Sequence, residues 1–138
     1  MNRLPRLRGQ LFERHEITVE KDIVRARQAV GRAMDGLGAK AIRKTRLVTA
    51  ASEIFRNGLN YGGGAVALIH CDAGNRMVWV DCIDDGPGIE DMALALRDGY
   101  TSGTGLGRGL GGAKRLVDEF DIVSEPGVGT HVRLAGRA

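Results

Sequence analysis

Residues 103–112 read Gly-Thr-Gly-Leu-Gly-Arg-Gly-Leu-Gly-Gly, and this stretch runs directly into a predicted helix. Free N–H groups at a helix start, the helix dipole and a backbone without side chains together form a site suited to phosphate groups. The motif is not a P-loop, because Ala113 stands where that motif requires lysine, and Lys114 is followed by Arg115. It is not a dinucleotide fingerprint either, since it lies late in the chain among predicted antiparallel strands. On composition alone, a flexible structural loop is the alternative.

A second glycine cluster, residues 84–88, reads Asp-Asp-Gly-Pro-Gly and follows a predicted strand. A carboxylate at a strand end, here Asp84, can accept a hydrogen bond from an amine. Gly86 and Gly88 let the backbone turn beneath a flat ring. The same pattern is also typical of an ordinary turn, so by itself it leaves both interpretations open.

The helix predicted over residues 39–60 carries a narrow polar stripe on a mostly apolar surface. Glu53, Asn57 and Asn60 share one face, because four and three residues separate them. Burying a carboxylate is costly unless a partner compensates it. The stripe therefore either pairs with neighbours such as Arg56 or faces a wet cavity that holds a cation or phosphate.

The remaining sequence places these motifs in an α+β fold. Helical spacing of apolar residues predicts helices at 22–37, 39–60, 91–97 and 110–117, and extended patterns predict strands at 13–19, 65–71, 76–83, 119–124 and 130–134. Segregated helices and a mixed, mostly antiparallel sheet indicate a two-layer α/β sandwich with helices on one face. The 138 residues correspond to one domain, in which residues 1–12 are expected to form a loose basic segment.

Composition narrows the function classes. Glycine accounts for 21 residues, roughly twice the usual share of ~7%, so the backbone must turn sharply or approach a ligand at defined places. Aromatic residues make up 4%, which argues against a base-stacking surface and a nucleic-acid partner. With no membrane-length apolar run and no signal-peptide core, we expect a cytoplasmic protein without a membrane partner. Cys71 and Cys82 lack a metal or redox spacing and are expected to be reduced.

Much of the net charge of +3 comes from Arg3, Arg6 and Arg8 and from residues 40–46. Two basic clusters lie further along the chain, one around Arg25, Arg27 and Arg32 and the other across residues 40–46. A weak basic bias suits an acidic protein partner or a phosphorylated ligand, although most such charges are solvated surface. Both clusters are candidate docking surfaces.

Four motifs, in this order, resemble the N, G1, G2 and G3 boxes of the GHKL ATPase superfamily, which includes gyrase, Hsp90 and MutL ATPase domains and histidine-kinase catalytic domains. They are Glu53-x-x-x-Asn57, Asp84-x-Gly86-x-Gly88, Gly105-Leu106-Gly107-x-Gly109 and Gly127-x-Gly129-Thr130. Within the superfamily, residues 52–57, 84–89, 98–103 and 113–120 are similar to anti-sigma-factor type serine/threonine kinases, in particular the switch kinases of the bacterial stressosome. The resemblance covers about residues 16–134 and implies the Bergerat fold.

The resemblance also implies ATP and Mg²⁺ as cofactors, with roles assigned by position. The amide at Asn57 would ligate Mg²⁺, Glu53 would be the general base toward a serine hydroxyl, and Asp84 would accept a hydrogen bond from the adenine amino group. Thr130 would help to hold Asp84 and a water, and Thr101–Thr104 would form a short lid. The further implied nucleotide-binding residues are Gly86, Gly88, Ser102, Gly103, Gly105, Leu106, Gly107, Arg108 and Gly109.

Arg108 departs from the family pattern, in which this position is usually apolar. The side chain either points to solvent or reaches the γ-phosphate and stabilises charge during transfer. If it points to solvent, Arg108→Ala leaves ATP affinity nearly unchanged; a large loss of turnover at equal nucleotide binding favours the second role.

The function implied by the resemblance is phosphorylation of a STAS-domain antagonist or scaffold in a bacterial partner-switching stress pathway. Activation of a PP2C-type phosphatase by direct binding is implied as well. The alternatives are an anti-sigma factor that sequesters a sigma factor, and a non-catalytic ATP-binding module, against which the presence of Glu53 argues. A histidine kinase is disfavoured because His15, His70 and His131 fall on predicted strands.

Overall fold

A five-stranded antiparallel sheet carries a layer of helices on one face. The computed structural model describes residues 4–6, 9–96 and 109–138. Its elements are β1 (Gln10–Ile17), α1 (Glu20–Gly36), α2 (Ala41–Asn60), β2 (Ala65–Asp72), β3 (Met77–Asp84), α3 (Met92–Ala95), α4 (Leu110–Leu116), β4 (Glu119–Glu125) and β5 (Gly129–Arg137). The strand order is β1-β2-β3-β5-β4, and each neighbouring pair is antiparallel. The predicted two-layer α+β fold is confirmed, with a sheet that is antiparallel throughout its described strands rather than mixed.

The hydrophobic core lies between this sheet and the two long helices. Strand side chains alternate between faces, so Val78, Val80 and Cys82 point toward α1 and α2 and are buried there. Helix α2 lies directly against the sheet at Gly58. A Cβ atom at Gly58 would lie 2.6 Å from the Cβ of Ala65 and 3.2 Å from the Sγ of Cys82. The absence of a side chain at residue 58 therefore sets the spacing between α2 and the sheet.

The first strand differs from its prediction at both ends. It covers Gln10–Ile17 instead of residues 13–19, so the expected loose segment is shorter than 12 residues. The pairing of β1 with β2 shifts between Leu11 and Glu13, and such a bulge breaks the alternation on which a strand prediction depends. At the other end, the Asp22 carboxylate accepts hydrogen bonds from the backbone N–H groups of residues 18 and 19 at 3.0 and 3.1 Å. These two residues therefore lead into α1 and do not extend the strand.

The boundaries of the other predicted elements lie within two residues of the observed boundaries. The exception is β5, which continues to Arg137, three residues beyond its predicted end. The three histidines lie on strands β1, β2 and β5, as expected. Cys71 and Cys82 are free thiols, also as expected. No helix among the described residues is long and apolar enough to cross a membrane.

A buried charged cluster lies on the sheet face opposite the helices. Asp81 and Arg133 are paired across β3 and β5, and Arg133 donates through Nε to Oδ1 at 2.8 Å and through Nη2 to Oδ2 at 3.0 Å. The Nε2 of His131 lies 3.2 Å from Oδ2 of Asp81. Burial acts to raise the pKa of Asp81, but its contacts with His131 and Arg133 outweigh burial and bring that pKa below its ordinary value of 3.8. The backbone N–H of Leu4 donates to Nδ1 of His131 at 3.2 Å, so part of the N-terminal segment contacts the sheet.

Candidate functional site

Helix α2 presents Glu53 and Asn57 on one face, one turn apart. Both are half-buried, whereas Asn60, at the end of the same stripe, is exposed. Arg56, the neighbour considered from the sequence as a partner for this stripe, instead donates to Oε1 of Glu20 at 2.6 Å. The structure thus pairs Arg56 with α1, and Asn57 is the member of the stripe that lines the cavity between α2 and the sheet.

The end of the glycine-rich stretch approaches Glu53. A Cβ atom at Gly109 would lie 2.7 Å from Oε2 of Glu53, and Gly109 has a φ of +76°, a conformation that favours glycine. Because Gly109 immediately precedes α4, this contact brings the start of α4 beside the Glu53 carboxylate. The remaining predicted loop residues lie outside the described residues: Thr101, Ser102, Gly103, Thr104, Gly105, Leu106, Gly107 and Arg108.

Asp84 is the last residue of β3, and glycines enclose its carboxylate. The backbone N–H of Gly86 donates to Oδ1 of Asp84 at 2.9 Å. Gly62, just beyond the end of α2, packs against the same group, since a Cβ atom there would lie 2.5 Å from Cγ of Asp84. A Cβ atom at Gly86 would in turn lie 2.5 Å from Cα of Gly62. The glycines thus fix the carboxylate orientation in a space that admits no side chain.

The turn after Asp84 is tied to the β4–β5 hairpin by Ser124. The Ser124 hydroxyl accepts a hydrogen bond from the backbone N–H of Ile89 at 2.8 Å and lies 2.9 Å from the hydroxyl of Thr130. Thr130 is buried and is the pairing partner of Asp84 in the β3–β5 register. Gly88, with a φ of +75°, packs its backbone against Glu125 and Pro126 at the turn of the same hairpin. Sequence reasoning missed Ser124, because only the register of the folded hairpin brings it beside this turn.

One cavity joins the helix and sheet parts of the site. The predicted residues Asn57, Asp84 and Thr130 all line it. Its apolar walls come from Ile54, Cys82, Ile89, Leu110 and Val132. The cavity has a volume of about 20 Å³, room for about one water, so it marks where these side chains converge and does not itself hold a ring.

The thiol of Cys82 lies inside this cavity wall. Burial raises its pKa far above the ordinary range, and the charges of Asp84 and Asp81 act in the same direction. The thiol is therefore protonated at neutral pH. It behaves as a small apolar wall residue and not as a nucleophile.

The donor set around Asn57 fits a magnesium ion that is shared with a polyphosphate. Mg²⁺ prefers oxygen ligands, keeps several waters and relies on phosphate oxygens more than on a protein cage. Asn57 supplies an amide oxygen at the cavity wall, and the Glu53 carboxylate lies one turn earlier. The described residues contain no cluster of three or more His, Cys, Asp or Glu side chains that could hold a metal ion. A single amide ligand with phosphate and water completing the shell is consistent with that arrangement.

Comparison with known proteins gives a family match over most of the chain. Residues 42–136 match the family described as histidine kinase-, DNA gyrase B-, and HSP90-like ATPase. The chain is 39% identical over 119 residues to the serine/threonine-protein kinase RsbT of Bacillus subtilis, covering 85% of this chain and 90% of that protein. It is 30% identical over 116 residues to the anti-sigma F factor of Halalkalibacterium halodurans, covering 79% and 80%. It is 31% identical over 93 residues to the anti-sigma F factor of a Thermoanaerobacter species, covering 62% and 64%.

Proposed function

This chain belongs to the family of histidine kinase-, DNA gyrase B- and HSP90-like ATPases, and from that membership we propose that it is an ATP-dependent serine/threonine protein kinase acting on a STAS-domain protein. The observation that carries the proposal is that Asn57 and Asp84 line one cavity, with Glu53 one turn from Asn57. The 39% identical relative named a serine/threonine-protein kinase supports it. The proposal includes a bacterial partner-switching stress pathway and activation of a PP2C-type phosphatase by direct binding.

Adenine recognition is assigned to the sheet side of the cavity. Asp84 accepts a hydrogen bond from the adenine amino group, and the backbone of Gly86 holds the carboxylate in place through its N–H. Ile89 and Leu110 provide apolar walls that exclude water from the ring. Thr130 and Ser124 keep the following turn against the β4–β5 hairpin. In this scheme residues of the sheet bind the adenine base, and residues of α2 bind the phosphates.

Phosphoryl transfer is assigned to the polar stripe of α2. Asn57 would hold Mg²⁺ through its amide oxygen, and such an ion would supply positive charge to the triphosphate. Glu53 accepts the proton of the substrate hydroxyl while that oxygen bonds to the γ-phosphorus; the bond from the γ-phosphorus to the bridging oxygen breaks, and ADP leaves. A positioned base of this kind contributes roughly 10²- to 10⁴-fold to the rate. Glu53 should therefore matter for turnover far more than for nucleotide binding.

The test combines nucleotide binding with phosphate transfer. Purified protein is incubated with labelled ATP, Mg²⁺ and recombinant STAS-domain proteins from the same organism, and mass spectrometry locates the phosphorylated residue. We expect Glu53→Gln to keep ATP affinity within about threefold and to lower transfer by roughly 10²-fold or more. Asn57→Ala should lose both Mg²⁺-dependent ATP binding and transfer. Asn60→Ala is the matched control, because it removes an exposed amide from the same stripe.

A second candidate function is supported by the relatives named anti-sigma F factor. In that case the chain acts by holding a sigma factor, and phosphorylation is secondary or absent. If the wild-type protein transfers no phosphate to any STAS protein yet captures a sigma factor from a defined set, the contact function replaces the kinase proposal. If transfer is unaffected by both Glu53→Gln and Asn57→Ala, the catalytic assignment is wrong. The cytoplasmic location expected from the sequence stays a prediction, which cell fractionation tests.

A further inference from the structure

A groove lies at the end of α2 remote from the Asn57 cavity. It runs between the first turns of α2, the end of α4 and the end of β5, with a volume of about 320 Å³. Its apolar lining comes from Leu116 and Val117, whereas Leu47 is almost fully buried at its edge. Arg43 and Arg46 stand on its α2 side. The groove therefore combines an apolar lining with a cationic rim.

An exposed isoleucine extends the apolar lining toward solvent. Ile42 is 67% exposed, the highest value among the large apolar side chains that are exposed in the described part of the chain. Exposed apolar residues that stand singly need no explanation, but Ile42 lines the same groove as Leu116 and Val117. It thus adds an exposed apolar side chain to the lining of this groove.

Among the described residues, no carboxylate pairs with the arginines of this groove. The structure shows no ion pair for Arg43 or Arg46 with any described residue. By contrast, Lys44 on the same helix pairs with Asp35 at 2.8 Å. Asp118 also lines the groove, and its carboxylate accepts a hydrogen bond from the backbone N–H of Arg137 at 2.7 Å.

Stability of α2 does not explain this arrangement. The first turn of α2 carries no acidic residue, and its N-cap residue is Lys40, with no side-chain capping bond. Positive charge near a helix N-terminus opposes the helix dipole and disfavours the helix. Arg43 therefore stands in the first turn, where its charge costs stability, and Arg46 lies one turn further along the same groove. Two such charges beside apolar side chains suit an acidic partner.

We propose that this groove docks an acidic segment of a partner protein. An apolar side chain of that segment sits against Leu116 and Val117, and its carboxylates pair with Arg43 and Arg46. The ten residues from Arg43 to Glu53 span ~15 Å along the helix, so the segment lies well away from the phosphate-transfer site. The inference goes beyond the proposed kinase function: this partner is not the phosphoacceptor, and it binds while the ATP cavity is occupied.

The test uses isotope-labelled whole protein and nuclear magnetic resonance. Two synthetic peptides of equal length are titrated, one containing aspartate, glutamate and two leucines, the other with each acidic residue replaced by its amide. The expected result is saturable shifts of the backbone amides of Ile42, Arg43, Arg46, Val117 and Gly136 with the acidic peptide only. Binding should weaken as salt is raised, since the charge contacts are exposed.

Charge-reversal variants provide the decisive comparison. R43E/R46E should weaken binding of the acidic peptide at least about tenfold, equivalent to ~1.4 kcal/mol. R25E/R27E makes the same change in net charge on α1 and should stay within about threefold of wild type. Both variants are checked for ATP binding and circular dichroism, and R43Q/R46Q replaces the reversal if it does not fold.

Three outcomes overturn the proposal. The first is the absence of saturable shifts up to about 1 mM peptide. The second is an equal loss of affinity in R25E/R27E and R43E/R46E, which would indicate only general charge attraction. The third is tighter binding at the same amides by anionic phospholipid vesicles or single-stranded DNA, which would assign the groove to a different class of ligand.

Discussion

Replacing Gly62 with alanine tests how Asp84, the proposed acceptor for the adenine amino group, is held in place. Gly62 is not one of the predicted site residues, yet its Cβ would lie 2.5 Å from Cγ of Asp84 and 2.7 Å from the backbone oxygen of Gly58. Real Cβ atoms do not approach that closely, so Asp84 or the end of α2 must move. Displacing the carboxylate removes the hydrogen bond that we propose Asp84 accepts from the adenine amino group.

The size of the effect follows from that hydrogen bond. A hydrogen bond to a charged group contributes ~1.5–3 kcal/mol, so Gly62→Ala should weaken ATP binding by roughly 10- to 150-fold. The extra methyl group should also lower the free energy of unfolding by about 1–3 kcal/mol, as overpacking does. Calorimetric titration with ATP and Mg²⁺ measures the first change, and urea denaturation measures the second.

Gly63→Ala is the matched control. Gly63 has a φ of +72° but nothing within 4 Å of its Cβ position, so alanine there adds backbone strain without touching Asp84. That strain costs ~1–2 kcal/mol, similar to the overpacking cost at Gly62. The two variants should match in stability and differ in ATP affinity. Refutation would come from a folded Gly62→Ala protein that binds ATP within twofold of wild type.

The remaining predictions concern hydrogen bonds and buried charge. Ser124→Ala should lower the free energy of unfolding by about 1–3 kcal/mol, because the backbone N–H of Ile89 loses its acceptor; an unchanged urea midpoint would contradict this role. Asp81→Asn should cost about 3–5 kcal/mol by leaving Arg133 as an uncompensated buried charge, whereas replacing both residues with apolar side chains of similar volume should recover most of that loss. Because the pKa of Asp81 is lowered in the folded protein, its stabilisation is complete above pH 3.8 and declines as pH falls from there. Acid denaturation curves should accordingly be steeper for the wild type than for Asp81→Asn.

Local sequence signals were sufficient for the central part of the site. The spacing of Glu53 and Asn57 is a helical period within a single element, and the Asp84 turn is read from consecutive residues. Both features could therefore be predicted without knowing any pairing of strands. The family match over residues 42–136 confirms the superfamily that these motifs indicated.

Features that depend on register or packing between distant segments were not predictable. Asp81 and Arg133 lie 52 residues apart and meet only when β3 and β5 pair in the observed register. The contact between Gly62 and Asp84 depends on where α2 ends above the sheet. The bulge near Leu11 removed the alternation that would have revealed the true start of β1. In each case the deciding interaction is non-local, and composition or periodicity carries no trace of it.

The close approach at Gly58 has a consequence for the cavity beside it. Gly58 follows Asn57 directly, and any side chain there would push α2 away from Ala65 and Cys82. Such a substitution would move Asn57 away from Asp84, although residue 58 itself presents no side chain to the cavity. The distance between a helix residue and a sheet residue is therefore set by a position that carries no functional group.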